Sequence, residues 1–379
     1  MRFPRTLSRY VARETLQYAA VGFLAGGSLF LANNLLGRLD DLTVLGADAG
    51  DVLAISLRLL AILATYVLPI AFLFGVLVAL GRLGADHEVR AARALGVSLA
   101  QLAAPVLLLA ILATLLSMFL LGQAEPAARH SVLAVVGEIA SRGGVIQSGS
   151  FTKLDREGDR IVFADGRNPD GTLEGVLVSD RSNPERIFTV VASSGAFRFD
   201  RETETGHLLL RDGDVQFEPS QLTSDRTQRI GFEHFDYAFD MQRIVGLGLD
   251  RLKPRDMTGT ELASVLAHFD EHGSAPEEAR VQQRIEYELQ LERRRALPFA
   301  PLAFGVLAIP LGLGLRRGAR SLGFLLCVVI AFGYYVLQSA ATALATSGRL
   351  PAALALWLPN LVCAAIAVPF WWRARRAEA

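Results

Sequence analysis

The run LAISLRLLAILATYVLPIAFLFGVLVAL, from Leu53 to Leu80, decides the fold class. It carries one charge, Arg58 near its start, and one helix-breaker, Pro69 in its middle. A helix needs about 20 apolar residues to cross ~30 Å of hydrocarbon, and this run exceeds that. Working outward, two similar runs flank it, Leu16 to Leu36 and Leu99 to Leu121. The pattern then stops until Ala296 and resumes as Ala296 to Leu315, Leu322 to Ala345 and Leu350 to Trp372. The expectation is six transmembrane helices, three on each side of a large polar insert.

Composition supports a membrane protein with an aqueous domain. Soluble domains run about 45–50% apolar on a count that includes glycine. Here the apolar share is 51% before any of the 34 glycines is added, and mean hydropathy is +0.34. Charged residues still make up 20%, too many for a chain wholly in lipid. Lys+Arg and Asp+Glu balance at 38 each, which excludes a nucleic-acid partner held by bulk electrostatics. Cys327 and Cys363 both fall inside apolar runs, so they staple no aqueous domain and have no metal-ligand spacing.

Arginine placement gives the orientation, because short cytoplasmic loops are rich in Lys and Arg. Arg2, Arg5, Arg9 and Arg13 precede the first run; Arg82, Arg90 and Arg93 follow the second; Arg316, Arg317 and Arg320 follow the fourth; Arg373, Arg375 and Arg376 end the chain. The alternate loops hold only Arg38, beside Asp40, Asp41, Asp48 and Asp51, and Arg349. Both termini are therefore expected in the cytoplasm and the insert on the far side. The first run is long and lacks a small-residue cleavage site, so it reads as a retained anchor and not a signal peptide.

The insert reads as β structure. Short strands are expected at 144–151, 160–164, 175–179, 187–192, 207–211 and 214–217, with turns at Asn168-Pro-Asp-Gly171, Asn183-Pro184 and Asp212-Gly213. Val145, Phe151, Ile161, Phe163, Val176, Val178, Phe188, Val190, Phe197, Leu208, Leu210 and Phe217 are expected to share one face. That face is either a filled core or a lipid-holding interior. Helices are expected over Thr258–Asp270 and Pro276–Arg295. The domain reading is 1–122 for spans one to three with a cytoplasmic helix at 84–97, then 123–256 for the β domain. A helical connector follows over 257–295, with spans four to six and the tail over 296–379.

No catalytic constellation stands out. The sequence has no Gly-Lys pair, so it cannot form an ATP-binding P-loop of its own. His87-Glu88-Val-Arg-Ala91 starts like a zinc-protease helix but lacks the second histidine, and no metal site is expected. Ser150-Phe-Thr-Lys153 matches S-x-x-K, yet it sits at a strand and has no K-T-G companion. A hydrolase using Ser150 is the enzyme alternative, and a membrane-anchored scaffold is the other rival. Six spans are costly for mere anchoring.

The stretch from Gly81 to Ser98 is more informative. Asp86 is expected to cap a short helix with Glu88 in its first turn, Gly96 to end it, and Ser98 to cap the third span. Such an amphipathic helix is either a headgroup-level connector or a docking element for a cytoplasmic motor.

Three stretches together resemble a known family: Arg9-Tyr-Val-Ala-Arg-Glu-Thr15, Leu68-Pro-Ile-Ala-Phe-Leu-Phe-Gly75, and Glu88-Val-Arg-Ala-Ala-Arg-Ala-Leu-Gly-Val-Ser98. They are similar to the YjgP/YjgQ permeases, the LptF/LptG subunits of the lipopolysaccharide-export ABC transporter. The resemblance covers the whole chain, including Ile309-Pro-Leu-Gly312 before a basic loop, and the Arg-Tyr-x-x-Arg-Glu opening is nearer the LptF branch. It implies six spans and a jelly-roll-like periplasmic β domain in a Gram-negative inner membrane. Implied partners are a separate LptB-type ATPase dimer, a second LptG-type six-span permease and LptC/LptA-type bridge components, with lipopolysaccharide as cargo and no cofactor. On this footing Glu88, Arg90, Arg93, Leu95 and Gly96 are expected to contact the ATPase. Arg38 and Arg58 are candidates for an anionic headgroup, and Phe151, Phe163, Phe188, Phe197 and Phe217 for the acyl chains.

Overall fold

The computed structural model describes residues 5–36, 48–139, 149, 151–153, 159–168, 171–183, 187–200, 205–218, 228–240, 254–269, 277–314 and 319–376. The chain divides into two units, Met1–Leu31 with Leu60–Ala127 and Pro254–Ala379, and Ala32–Leu59 with Ala128–Lys253.

Helices come first in the chain: α1 (Arg5–Leu36), α2 (Ala49–Ala85), α3 (Glu88–Ala94), α4 (Leu99–Phe119), a π-helical turn at Leu120–Ala124 and α5 (Glu125–Ile139). After the sheet come α6 (Gly259–Ala267), α7 (Glu277–Ala296), a 3-10 turn at Leu297–Phe299, α8 (Ala300–Gly314), α9 (Ala319–Thr346) and α10 (Ala352–Arg376). Six helical stretches are long and apolar enough to cross a membrane, in the six places the apolar runs indicate. Helix continues past the third run through the π turn as far as Ile139. The capping box at Thr258 starts α6, its hydroxyl accepting from the Glu261 backbone while Glu261 accepts from the Thr258 backbone.

The second and fourth spans are the centre of the helical unit. Each has 67% of its apolar window buried, against 11% for the first span and 22% for the fifth. Leu73, Val76, Leu77 and Leu80 of α2 pack in one core with Val106 of α4 and Phe304, Leu307 and Ile309 of α8. The first span joins this core through the side chain of Val11 and, farther along, by backbone approach. A Cβ at Gly75 would lie 2.7 Å from Ala19 N and from Thr15 O, so only glycine fits that crossing.

Two side chains of α10 repair breaks in the fourth span. Pro310 has no N–H for the Val306 carbonyl, and the Trp371 indole donates to that oxygen at 2.8 Å. At the 3-10 turn the Ala300 N–H turns to Leu297 O, and Asn360 Nδ2 donates to the freed Ala296 O at 2.8 Å. Asn360 Oδ1 in turn accepts from Tyr334 at 3.1 Å. In hydrocarbon every backbone group needs such a partner.

The other unit carries β1 (Phe151–Lys153), β2 (Arg160–Arg167), β3 (Leu173–Asp180), β4 (Phe188–Asp200), β5 (Thr205–Phe217) and β6 (Gln228–Asp240). They form one antiparallel sheet in sequential order. The ladder skips one row of residues, Asp165, Gly175, Ser193, Asp212 and Glu233, which crosses five strands. Gly175 has φ 58° and Asp212 φ 52°. Along β5 the buried positions are Leu208 and Leu210 before this row and Val215 after it, so the alternation slips by one residue.

Asp212-Gly213 is therefore not the turn expected from sequence. It is the point where one long strand, Thr205–Phe217, bends without ending. The expected common face also needs correction at its start. Val162 pairs across to Val178, Val190 and Val215 on the buried face, whereas Phe151, Phe163, Leu177 and Val191 line the opposite one. Ile161, opposite Ser179 and Thr189, also faces away. Ile161-Val-Phe-Ala164 is apolar throughout, so its period could be read in either phase. Val145 lies outside the described residues.

Candidate functional site

The loop between the second and third spans is a short helix, α3, stopped at both ends. Asp86 does not cap α3, contrary to expectation. Its N–H closes the last turn of α2 on Arg82 O at 2.9 Å, and His87, at φ 62° with no side-chain cap bond, is the N-cap. The far end is as expected from Gly96. Gly96, at φ 82°, donates to Arg93 O at 2.9 Å and Val97 to Ala92 O at 3.1 Å, the paired bonds of a Schellman stop. Ser98 caps α4 and completes a capping box with Gln101.

On this helix and its stop Arg90 and Gly96 are exposed, Arg93 and Glu88 are half-buried, and Leu95 is 86% exposed. Glu88 Oε1 accepts a hydrogen bond from the Tyr10 hydroxyl of α1 at 3.2 Å. Arg82 Nη2, in the last turn of α2, donates to the same hydroxyl at 2.6 Å and pairs with Glu14 at 2.9 Å. Its guanidinium lies 6.0 Å from the Tyr10 ring centroid. Sequence reasoning had Arg82 only as a topological charge and gave Tyr10 and Glu14 no role. Both stand inside the Arg9-Tyr-x-x-Arg-Glu14 stretch, which was the available signal.

The lipid-side candidates are dispersed. Arg38 lies outside the described residues. Arg58 is half-buried and donates to Ala54 O of its own helix at 2.9 Å. Phe151, 69% exposed, stacks on Phe163 with centroids 4.9 Å apart, on the outward face of the sheet. Phe188 and Phe217 sit on the inward face, 6.0 Å apart, and Phe197 lies 6.0 Å from Phe239. Ser150 is outside the described residues.

Two features of the helical unit had no sequence prediction. An apolar crevice of about 800 Å³ opens between α1, α2 and α4, walled by Leu16, Phe23, Leu68, Phe72, Leu112 and Leu116. Beyond it, the Arg293 guanidinium stacks 5.2 Å from the Tyr66 ring and donates to its hydroxyl, while Tyr335 donates to Tyr66 O at 3.3 Å. Arg294 donates to Leu121 O of the π turn and to Arg255 O at 2.9 Å. The Arg293–Arg295 run beside an apolar stretch was the signal for this cluster.

Within the sheet, Asp180 is 6% exposed. Burial pushes its carboxyl pKa up, but hydrogen bonds from Ser182 and Tyr237, with Arg160 beside it at 3.2 Å, outweigh that and hold it below the usual carboxylate value.

Comparison with known proteins settles the family. The chain is 23% identical over 377 residues to the lipopolysaccharide export system permease protein LptF of Escherichia coli (strain K12), covering 95% of this chain and 93% of that one. The proteins of the same name from Escherichia coli O157:H7 and Shigella flexneri match to the same extent. The family model for the lipopolysaccharide export system permease LptF/LptG matches residues 9–376. With six membrane-length helices, a six-stranded sheet domain and a match over nearly its whole length, this multi-pass chain belongs to the LptF/LptG permease family.

Proposed function

We propose that this chain is the transmembrane subunit of an ATP-driven exporter that draws lipopolysaccharide from the bacterial inner membrane and passes it to a periplasmic bridge. The α3 lever carries this reading. It is a helix stopped at both ends, bearing an exposed leucine beside charged side chains and tied to the first span, in a chain without a P-loop. A separate LptB-type ATPase dimer supplies the hydrolysis by docking on Glu88, Arg90, Arg93, Leu95 and Gly96. A second, LptG-type permease completes the membrane cavity, and LptC/LptA-type components receive the lipid. Both termini are cytoplasmic and the β domain periplasmic, as the arginine distribution favours. Residues 1–122 and 296–379 form the membrane part, 123–256 the β domain and 257–295 its helical connector. Arg38 and Arg58 hold the anionic headgroup, a role suited to the guanidinium fork. The acyl chains pass along the inward-facing phenylalanines of the sheet, Phe188, Phe197 and Phe217.

Affinity purification from native membranes tests this. A P-loop ATPase and a second six-span permease are expected with the chain. Vesicles containing that complex should release lipopolysaccharide to a periplasmic acceptor only with ATP. A chain that purifies alone, or a complex that hydrolyses ATP without lipid release, overturns the reading in favour of a scaffold.

A further inference from the structure

We infer that Tyr10 is the positioning residue that transmits movement of the α3 lever to the first span, through its hydrogen bond to Glu88. This rests on the transport reading above and adds the mechanical link within this subunit.

The geometry points one way. The lever has left-handed backbone on both sides, at His87 (φ 62°) and Gly96 (φ 82°), so it is a stiff helix between two pivots. Glu88 is its first residue. The Tyr10 oxygen accepts from Arg82 at 2.6 Å, which leaves its own hydrogen to point at Glu88 Oε1, 3.2 Å away. Glu14 pairs with the same guanidinium at 2.9 Å, and only 21% of the Arg82 side chain and 16% of the Glu14 side chain is exposed. Arg82 is thus fixed in the last turn of the second span and holds the phenol in one orientation.

The first span is the least buried of the six, at 11% of its window. Farther along, it meets the second span through small residues at Gly75, Ala19 and Thr15, an apolar crossing that resists separation but has no directional bond. A hydrogen bond to a carboxylate is directional and about twice as strong as a neutral one. Displacing α3 therefore pulls the cytoplasmic end of the first span while the second span stays anchored in the core. The competing role of this cluster is purely structural, closing off polar groups where three helices meet.

The test uses the complete complex, with its ATPase and partner permease, in lipopolysaccharide-loaded vesicles. The readout is lipid released per ATP hydrolysed. Tyr10→Phe keeps the ring beside Arg82 and removes the hydroxyl, with its bonds to Glu88 and from Arg82. It should lower this ratio by about tenfold, the scale set by a lost hydrogen bond to a charged group. Glu88→Leu should lower the ratio at least as much, because Glu88 also lies on the proposed ATPase-docking surface. The double variant Tyr10→Phe/Glu88→Leu should be no worse than Glu88→Leu alone. Spin labels at the exposed positions Leu29 and Leu115, with Cys327 and Cys363 replaced by alanine, report the first span directly. Their separation should change on nucleotide trapping in the otherwise wild-type chain and stay fixed with Tyr10→Phe. An unchanged lipid-to-ATP ratio or an unchanged distance response in an assembled Tyr10→Phe complex overturns the inference. Absence of lipid release in the wild-type complex instead overturns the transport reading.

Discussion

The Tyr237 hydroxyl donates to Asp180 Oδ2 at 2.8 Å, although two strands lie between their own. Register places Asp180 in line with Phe188, Phe217 and Gln228. On a flat sheet Tyr237 would then lie about 30 Å farther along β6, by the ~3.3 Å rise per residue of a strand. The contact exists because the sheet folds face to face across the skipped row from Asp165 to Glu233. Phe188 meets the Tyr237 ring across the same fold, with centroids 6.2 Å apart. One meander thus becomes two facing layers with an apolar interior.

Tyr237→Phe should loosen that closure without unfolding the strands themselves. A hydrogen bond to a charged group contributes about 1.5–3 kcal/mol. Hydrogen exchange of the β3 and β6 amides should accelerate by one to two orders of magnitude, by the conversion of about 1.4 kcal/mol per decade. The amides of α8 should not change.

The same carboxylate sets a pH dependence. The folded pKa of Asp180 is depressed, so its contribution is fully present above the unfolded value of about 3.9. The contribution is lost as pH falls through the lower folded value. Sheet protection should therefore hold from neutral pH down to about that unfolded value and decline below it, until the lower folded value is passed. Asp180→Asn should flatten the acid limb and lower protection at neutral pH. The check is amide exchange in β3 against pH, compared between the two chains.

Six apolar runs identified the spans because hydrocarbon admits few alternatives to a helix. The sheet was harder to read, and β6 shows why. Its apolar positions run Ile230, Phe232, then Phe235, Tyr237 and Phe239, with the period broken at Glu233. A strand that changes faces at a bend looks aperiodic, so β6 was not expected from sequence. The site residues divide similarly. The loop's own pattern placed Glu88 in the first turn of a short helix, and Leu95 was named only through the family resemblance, whereas Tyr10 and Arg82 become partners only when two helices cross. Nothing local in sequence encodes that meeting.

The repair of the fourth span by α10 predicts a stability effect inside the membrane. Trp371→Phe keeps an aromatic side chain but leaves Val306 O without its donor, and Asn360→Leu does the same to Ala296 O while also removing the acceptor of the Tyr334 hydroxyl. Intramembrane hydrogen bonds measured by double-mutant cycles average about 0.6 kcal/mol with a maximum near 1.7. Each lost bond should cost about that much in a detergent unfolding titration, so Asn360→Leu should lose about twice as much as Trp371→Phe. Their effects should add, because the two carbonyls belong to different turns.

Close approach at Gly75 makes a sharper prediction. Gly75→Ala brings a Cβ to 2.7 Å from backbone atoms of α1, which cannot move away as a flexible side chain would. Overpacking of this kind typically costs about 1–3 kcal/mol. The first span should separate from the second, seen as reduced disulfide formation between cysteines introduced at Gly26 and Val67, which face each other in the native packing. A variant that crosslinks at the wild-type rate would contradict the packing.

Leu95 offers the most direct probe of the lever's outer surface. At 86% exposed it is the most open large apolar side chain of the chain's described residues, and it directly precedes the Gly96 stop. A leucine exposed beside a Schellman turn serves no purpose in closing the helix, since the C-cap bonds are made by backbone groups alone. Burying it in a partner's pocket would contribute about 1.5–3 kcal/mol. Leu95→Asp should therefore cut ATPase co-purification by more than about tenfold, adding a buried charge to the lost apolar contact. Arg90→Ala, on the exposed rim, should weaken binding mainly at low salt, because screening already reduces such contacts at physiological ionic strength. The measurement is ATPase recovered per permease at two salt concentrations. Equal recovery with Leu95→Asp and wild type would move the docking surface off this turn.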